Sequence, residues 1–179
     1  MEVEREDNLR RHPPTRPYEP VSRLLRVPAL ALTATLDLLQ RVGRRESGLF
    51  WYGQRDIDGN GTVAFVVAPR QRMSWGNYHV SPEALAEVVQ RLPPNWKPLA
   101  QIHSHPGLWV EHSRYDDEMV SSRRALSIVF PLYGHAEAPF PTGVGVHEWQ
   151  KDYWYLLTLE QASHRLAVFE GAVRVEDYR

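Results

Sequence analysis

His103 and His105 stand two residues apart at the end of an apolar run, in Gln101-Ile-His-Ser-His-Pro-Gly107, with Ser113 and Asp116 just beyond. Alternate side chains of a strand share a face, so the two imidazoles point the same way. Pro106 and Gly107 end that strand. Ser113-Arg-Tyr-Asp116 reads as the first turn of a helix, with Ser113 at the N-cap and Asp116 three positions on, along the same face. Two imidazoles and one carboxylate supply three ligands to a zinc ion, one per chain. The fourth position stays open to water, the arrangement of a catalytic site and not of a closed structural one. Asp117 and Glu118 are neighbours of the same chemistry and rivals of Asp116. A metal-activated water needs a general base. Glu46 heads the aromatic run Gly48-Leu-Phe-Trp-Tyr52, where a strand mouth can bring a carboxylate to the metal; Glu83, Glu111 and Glu118 compete with it.

The elements that must position these groups follow from periodicity and punctuation. Residues 1–20 are charged and rich in proline (Pro13, Pro14, Pro17, Pro20), a composition that predicts a flexible tail. Val21–Val27 reads as a short strand. Pro28–Arg41 carries Leu32, Leu36 and Leu39 at helical spacing, with Gly43 as its C-terminal cap. A strand over Glu46–Tyr52 leads to Asp56-Ile-Asp-Gly-Asn-Gly61, a hairpin turn too short for a calcium loop. Thr62–Ala68 is apolar enough for burial on both faces. Ser81 and Pro82 open a helix that Pro93-Pro94 stop. After the histidine strand, the Ser113 helix is predicted to reach Arg124, followed by a strand over Ala125–Phe130. Pro131–Thr142 reads as a long surface loop. Gly143–Trp149, Asp152–Leu159 and His164–Phe169 are three further strands. The expected fold is α/β, more closely α+β: one domain over residues 21–179, with a curved mixed sheet flanked by helices.

Composition excludes several functions. Basic residues number 21 and acidic residues 22, and no Lys/Arg block occurs, so no nucleic-acid partner is expected. No run is long and apolar enough for a membrane, and no signal peptide is evident, so a cytoplasmic address is expected. Cysteine is absent, which removes cysteine nucleophiles, disulfides, thiolate zinc ligands and the Cys-dependent zinc deaminase pattern. Trp109, in the loop between the ligands, and Trp75 are candidate substrate contacts. His112 reads as a solvated or supporting neighbour of the site. Ser104, on the opposite face from the histidines, reads as a hydrogen-bonding support for the strand.

Glu46, His103-Ser-His105-Pro106, seven residues, Ser113, two residues and Asp116 together resemble the JAMM (MPN-plus) metalloprotease pattern. The Glu-x-Gly-Leu-x-x-x-Gly setting of Glu46 is similar to that family as well. The resemblance implies a JAB/MPN domain distantly like cytidine deaminase. It selects His103, His105 and Asp116 as zinc ligands and Glu46 as the base, and gives Ser113 a hydroxyl that stabilises the tetrahedral intermediate. It further implies an isopeptidase or peptidase that cuts after the C-terminal tail of a ubiquitin-like protein, in precursor processing or deconjugation. The short chain looks like a bacterial stand-alone member, whose systems include antiviral defence and operon-encoded activating and conjugating enzymes as partners. A JAMM peptidase that trims a sulfur carrier and a non-catalytic scaffold of the same fold are the alternatives.

Overall fold

The computed structural model describes residues 11–179. From its N-terminus the chain forms β1 (Leu25–Pro28), α1 (Ala29–Arg41), β2 (Gly48–Arg55), β3 (Gly61–Ala68), β4 (Arg72–Ser74), β5 (Asn77–His79), α2 (Pro82–Gln90) and β6 (Lys97–Ser104). It continues with α3 (Arg114–Met119), β7 (Leu126–Phe130), β8 (Gly145–Gln150), β9 (Tyr153–Leu156), α4 (Leu159–Arg165), β10 (Leu166–Phe169) and β11 (Arg174–Asp177). The main sheet runs β10-β1-β3-β2-β6-β7-β8-β9, with β11 also paired to β3; β4 and β5 form a separate hairpin. The sheet is mixed: β6 and β7 are parallel, whereas β2 is antiparallel to both β3 and β6. This agrees with the α+β expectation.

Alternation along the strands divides the core. Leu49, Trp51 and Ile102 pack with Leu38 and Leu39 of α1 on one face. Phe50, Tyr52 and Phe65 pack with Tyr78 and Val88 of α2 on the other. The Trp51 indole N–H donates to Thr35 Oγ1 at 2.9 Å, and that hydroxyl donates to the Ala31 carbonyl at 2.7 Å. Both donors are therefore satisfied inside α1's contact with the sheet. In register, Gly48 faces His103 and Phe50 faces Gln101. The histidine face is thus the Tyr78 face.

Two glycines near Glu46 are required by close approach. A Cβ on Gly53 would lie 1.9 Å from the Thr62 carbonyl oxygen, and one on Gly48 2.2 Å from the Tyr78 ring. Backbone cannot swing aside as a side chain can. Gly53→Ala should therefore lower stability by about 1–3 kcal/mol in urea unfolding. Gly76→Ala, which meets nothing within 4 Å, should differ little from wild type.

Several elements differ from the sequence expectation. The strand after Glu46 starts at Gly48 and extends to Arg55, so Glu46 and Ser47 lie in the loop before it. The helix after Ser113 stops at Met119 and not at Arg124. There the Gln101 side chain bonds the Met119 carbonyl and the Ser121 N–H, closing the helix end. Residues 159–165, expected as the end of one strand, a connection and the start of the next, form α4. Thr158 accepts from the Gln161 N–H and Gln161 returns the bond, a capping box that starts a helix there. Residues 131–142 are not purely surface, because the buried Tyr133 packs against the histidine strand and its N–H bonds the His105 carbonyl.

Residues 1–10 of the expected tail lie outside the described residues. Residues 11–20 are extended and docked, contrary to the flexible-tail expectation. Tyr18 donates to Glu148 at 2.6 Å, Tyr155 to the Arg16 carbonyl, and Gln150 exchanges two bonds with the Glu19 backbone. The arm carries few apolar side chains, but β8 and β9 supply partners for its polar groups, and these hold it.

Candidate metal centre

β6 carries His103 to the end of the sheet, His105 follows directly after its last residue, and the cap of α3 brings Asp116 to them. The two Nε2 atoms face each other at 3.1 Å. His103 Nε2 is 3.5 Å from Asp116 Oδ1, and His105 Nε2 is 3.5 Å from Oδ2. Metal bonds of 2.0–2.1 Å at tetrahedral angles put ligand atoms roughly 3.3 Å apart. The three side chains are buried, their ligand atoms lie within 4.8 Å of one another, and they can hold a metal ion.

Local chemistry sets each ligand. His105 Nδ1 lies 3.0 Å from the Trp109 carbonyl, which can only accept. Nδ1 therefore carries the proton and the Nε2 lone pair is left to face the cluster. Burial holds His103 down to about 4, so it is neutral at pH 7. Its Nδ1 has no partner among the described residues. Burial works against the Asp116 carboxylate, but His103, His105 and the Ser113 N–H outweigh it and hold the group well below its usual range. Gly48 has no side chain where the Tyr78 ring must lie, and that ring stacks on His103 at a 5.6 Å centroid distance.

Ser113 is bound up in a capping box. Its N–H and hydroxyl both donate to Asp116 Oδ2, at 2.6 and 2.8 Å, while its oxygen accepts from the Asp116 N–H. The cap and a role toward substrate thus draw on one hydroxyl. The box also engages Oδ2 and leaves Oδ1 free of the cap.

Glu46 reaches the site through a loop. Its N–H bonds the Ser74 carbonyl of β4, and the next N–H, of Ser47, bonds Ser104 Oγ. Ser104 thus supports the loop that holds Glu46. The Glu46 carboxyl lines one cavity of about 700 Å³ with His105 and Asp116. Burial pushes it up to about 7, with Asp116 adding and His105 opposing. A cation at the cluster lowers it again, since opposite charge favours the carboxylate. Trp75 and Trp109 line the same cavity and are exposed, at 75% and 53%. Trp109 lies on Gly107, where a Cβ would meet its ring at 1.7 Å. Of the rivals, Glu111 lines this cavity, whereas Glu83 and Glu118 do not.

Three further residues surround the cluster, and two of them, Arg11 and His147, escape sequence reasoning. Arg11 lines the cavity and pairs with Asp117 at 2.6 Å, a contact across 106 residues. His112 is buried and not solvated. Its Nδ1 donates to Asp117 and its Nε2 accepts from Ser127, both at 2.8 Å. That Asp–His–Ser chain has the connectivity of a hydrolase triad, but Ser127 is fully buried and no substrate carbonyl reaches it. It is a strut behind the ligands. His147 stacks on His112 at 3.7 Å because β8 sets it opposite Ser127. The only signal for it was an unexplained histidine at an inward strand position.

His112 and His147 are held well below their ordinary value, by burial first and then by neighbouring histidines. A depressed histidine leaves stability intact above its unfolded value near 6.5 and costs stability as pH falls below it. His147→Phe removes one such group. The stability of this variant relative to wild type should therefore rise on going from pH 7 to pH 5, by up to about 1.4 kcal/mol per pH unit, in parallel urea titrations.

No family model and no curated protein sequence matches the chain. Among solved structures, the solution structure of protein DSY2949 from Desulfitobacterium hafniense is similar, with a TM-score of 0.61 at 16% identity. The match covers 83% of this chain and 95% of that one. It supports the fold alone.

Proposed function

We propose that this chain is a zinc-dependent peptidase of the JAMM type that cuts after the C-terminal tail of a ubiquitin-like protein. The observation that carries the reading is the buried cluster of His103, His105 and Asp116, of which His105 and Asp116 line one cavity together with Glu46. A JAB/MPN domain, distantly deaminase-like, is the fold that goes with it. His103, His105 and Asp116 hold the ion, and the Trp109 carbonyl orients His105. The ion, when bound, acidifies a water and polarises the scissile carbonyl.

Glu46 takes a proton from the attacking water and returns it to the leaving nitrogen as the C–N bond breaks. The Ser113 hydroxyl, released from Asp116, donates to the developing oxyanion. An extended substrate suits the site's walls. The β4–β5 hairpin pairs with no other strand among the described residues, so its edge can take a peptide as an added strand. Trp75, in the turn of that hairpin, and Trp109 both line the cavity beside it. No helix among the described residues is long and apolar enough to cross a membrane, and a cytoplasmic conjugation system fits the reading. A sulfur carrier is the other ubiquitin-fold substrate that the same chemistry serves.

The test is cleavage of ubiquitin-like proteins of the same genome, each with a short C-terminal extension, with and without a zinc chelator. Chelator-sensitive cleavage at the end of the modifier is expected. Uncut substrates at full zinc occupancy would leave the scaffold reading in its place.

A further inference from the structure

At the other end of the central strands from the histidines, a second cavity of about 340 Å³ is lined by Arg23, Arg55, Arg123, Arg124 and Arg165. Along β6, Lys97 and His103 are six residues apart, roughly 20 Å. The five arginines come from β2, β7's approach, α4 and the segment before β1. They meet only because the sheet gathers those ends.

One carboxylate, Glu148, enters the cavity, and it is already committed. Arg165 grips it with Nε at 3.0 Å and Nη2 at 2.8 Å, and Tyr18 donates a third bond. Arg55 donates to the Gly59 and Arg124 carbonyls, which carry no charge. Arg123 lies over the Trp149 ring at 4.3 Å. Among the described residues, no carboxylate lies within 4.0 Å of the Arg23, Arg55, Arg123 or Arg124 guanidinium. The side chains of Arg23, Arg123 and Arg124 have no hydrogen-bond acceptor among those residues either. Burial and the neighbouring Arg23 and Arg165 work against the charge on Arg55. Four cations without a carboxylate partner among the described residues, three of them with unused forks, face one space and repel one another, and an anion there relieves that repulsion.

We infer that this cavity is a binding site for a small phosphoryl anion, of the size and charge of a diphosphate. A single carboxylate offsets one of the four free charges, whereas a diphosphate offsets most of them and offers acceptors enough for several forked guanidinium contacts. The volume falls at the low end of small-molecule sites. The Arg123 guanidinium lies over one face of Trp149 and closes that face to a stacked base, so charge is the feature the cavity reads. The inference is independent of the peptidase reading.

Calorimetric titration of the full chain with pyrophosphate at low ionic strength tests it. Saturable binding near one site per chain is expected, weakened at least tenfold in Arg55→Ala. Arg55 also braces the turn through the Arg124 carbonyl, so the exposed pair Arg23→Ala/Arg123→Ala is the second variant, with the same expected loss. Inorganic phosphate and ATP form the other arms. Equal affinity for ATP and pyrophosphate identifies free polyphosphate chemistry, and tighter ATP binding identifies a nucleotide as the source. Absence of pyrophosphate binding, or binding undiminished in both variants, would overturn the site. Arg72→Ala, on β4, is the control and should bind as wild type.

Discussion

Glu46→Gln should keep zinc at wild-type content and lower cleavage about 10²–10⁴-fold, roughly 3–5 kcal/mol of barrier. Glutamine preserves the volume but cannot accept a proton. The Glu46 side chain makes no hydrogen bond among the described residues, so the substitution breaks none there. The same change should make the metal-free protein more stable above neutral pH. Burial raises the Glu46 carboxyl to about 7 from 4.5, so the folded state favours its protonated form. That advantage is full below about 4.5 and is lost as pH rises through 7. The neutral amide never carries the buried charge, so its gain over wild type grows across that window. An inactive variant that is also more stable is what a base kept for chemistry predicts. Full cleavage by Glu46→Gln would sink the role, whatever its stability.

His103→Ala should lose both zinc and cleavage. It removes one of three ligands and a fully buried ring that stacks on Tyr78, so lost folding is a rival explanation. Asp116→Asn separates the two. Its amide oxygen can still accept from the Ser113 N–H and so keep the start of α3, while the charge facing both histidines disappears. Zinc content should fall in both variants, with the circular dichroism of Asp116→Asn unchanged. Retention of stoichiometric zinc by both would remove the cluster as the metal site, and with it the mechanism.

The cluster of His103, His105 and Asp116 was legible in the sequence because each part is a short-range rule. Two residues along a strand return to one face, and three along a first turn return to the cap. Spacing alone left Asp117 as a rival of Asp116, and the family resemblance made the choice; in the fold Asp117 turns instead to Arg11 and His112. The glycines around Glu46 were visible as a pattern, but their cause was not. One makes room for Tyr78 and the other for the Thr62 carbonyl, and both contacts belong to pairings of distant segments. Glu46 itself reaches the cavity through its bond to β4, a strand too short to carry a periodic signal. The early end of α3 depended on Gln101, a residue of another element, and the docking of residues 11–20 on partners in β8 and β9. Sequence alone thus determined the residue types and their spacing within single elements, because backbone periodicity is local. Tertiary structure decided what faces them, because packing brings together side chains more than a hundred residues apart, such as Arg11 of the N-terminal arm and Asp117 of α3.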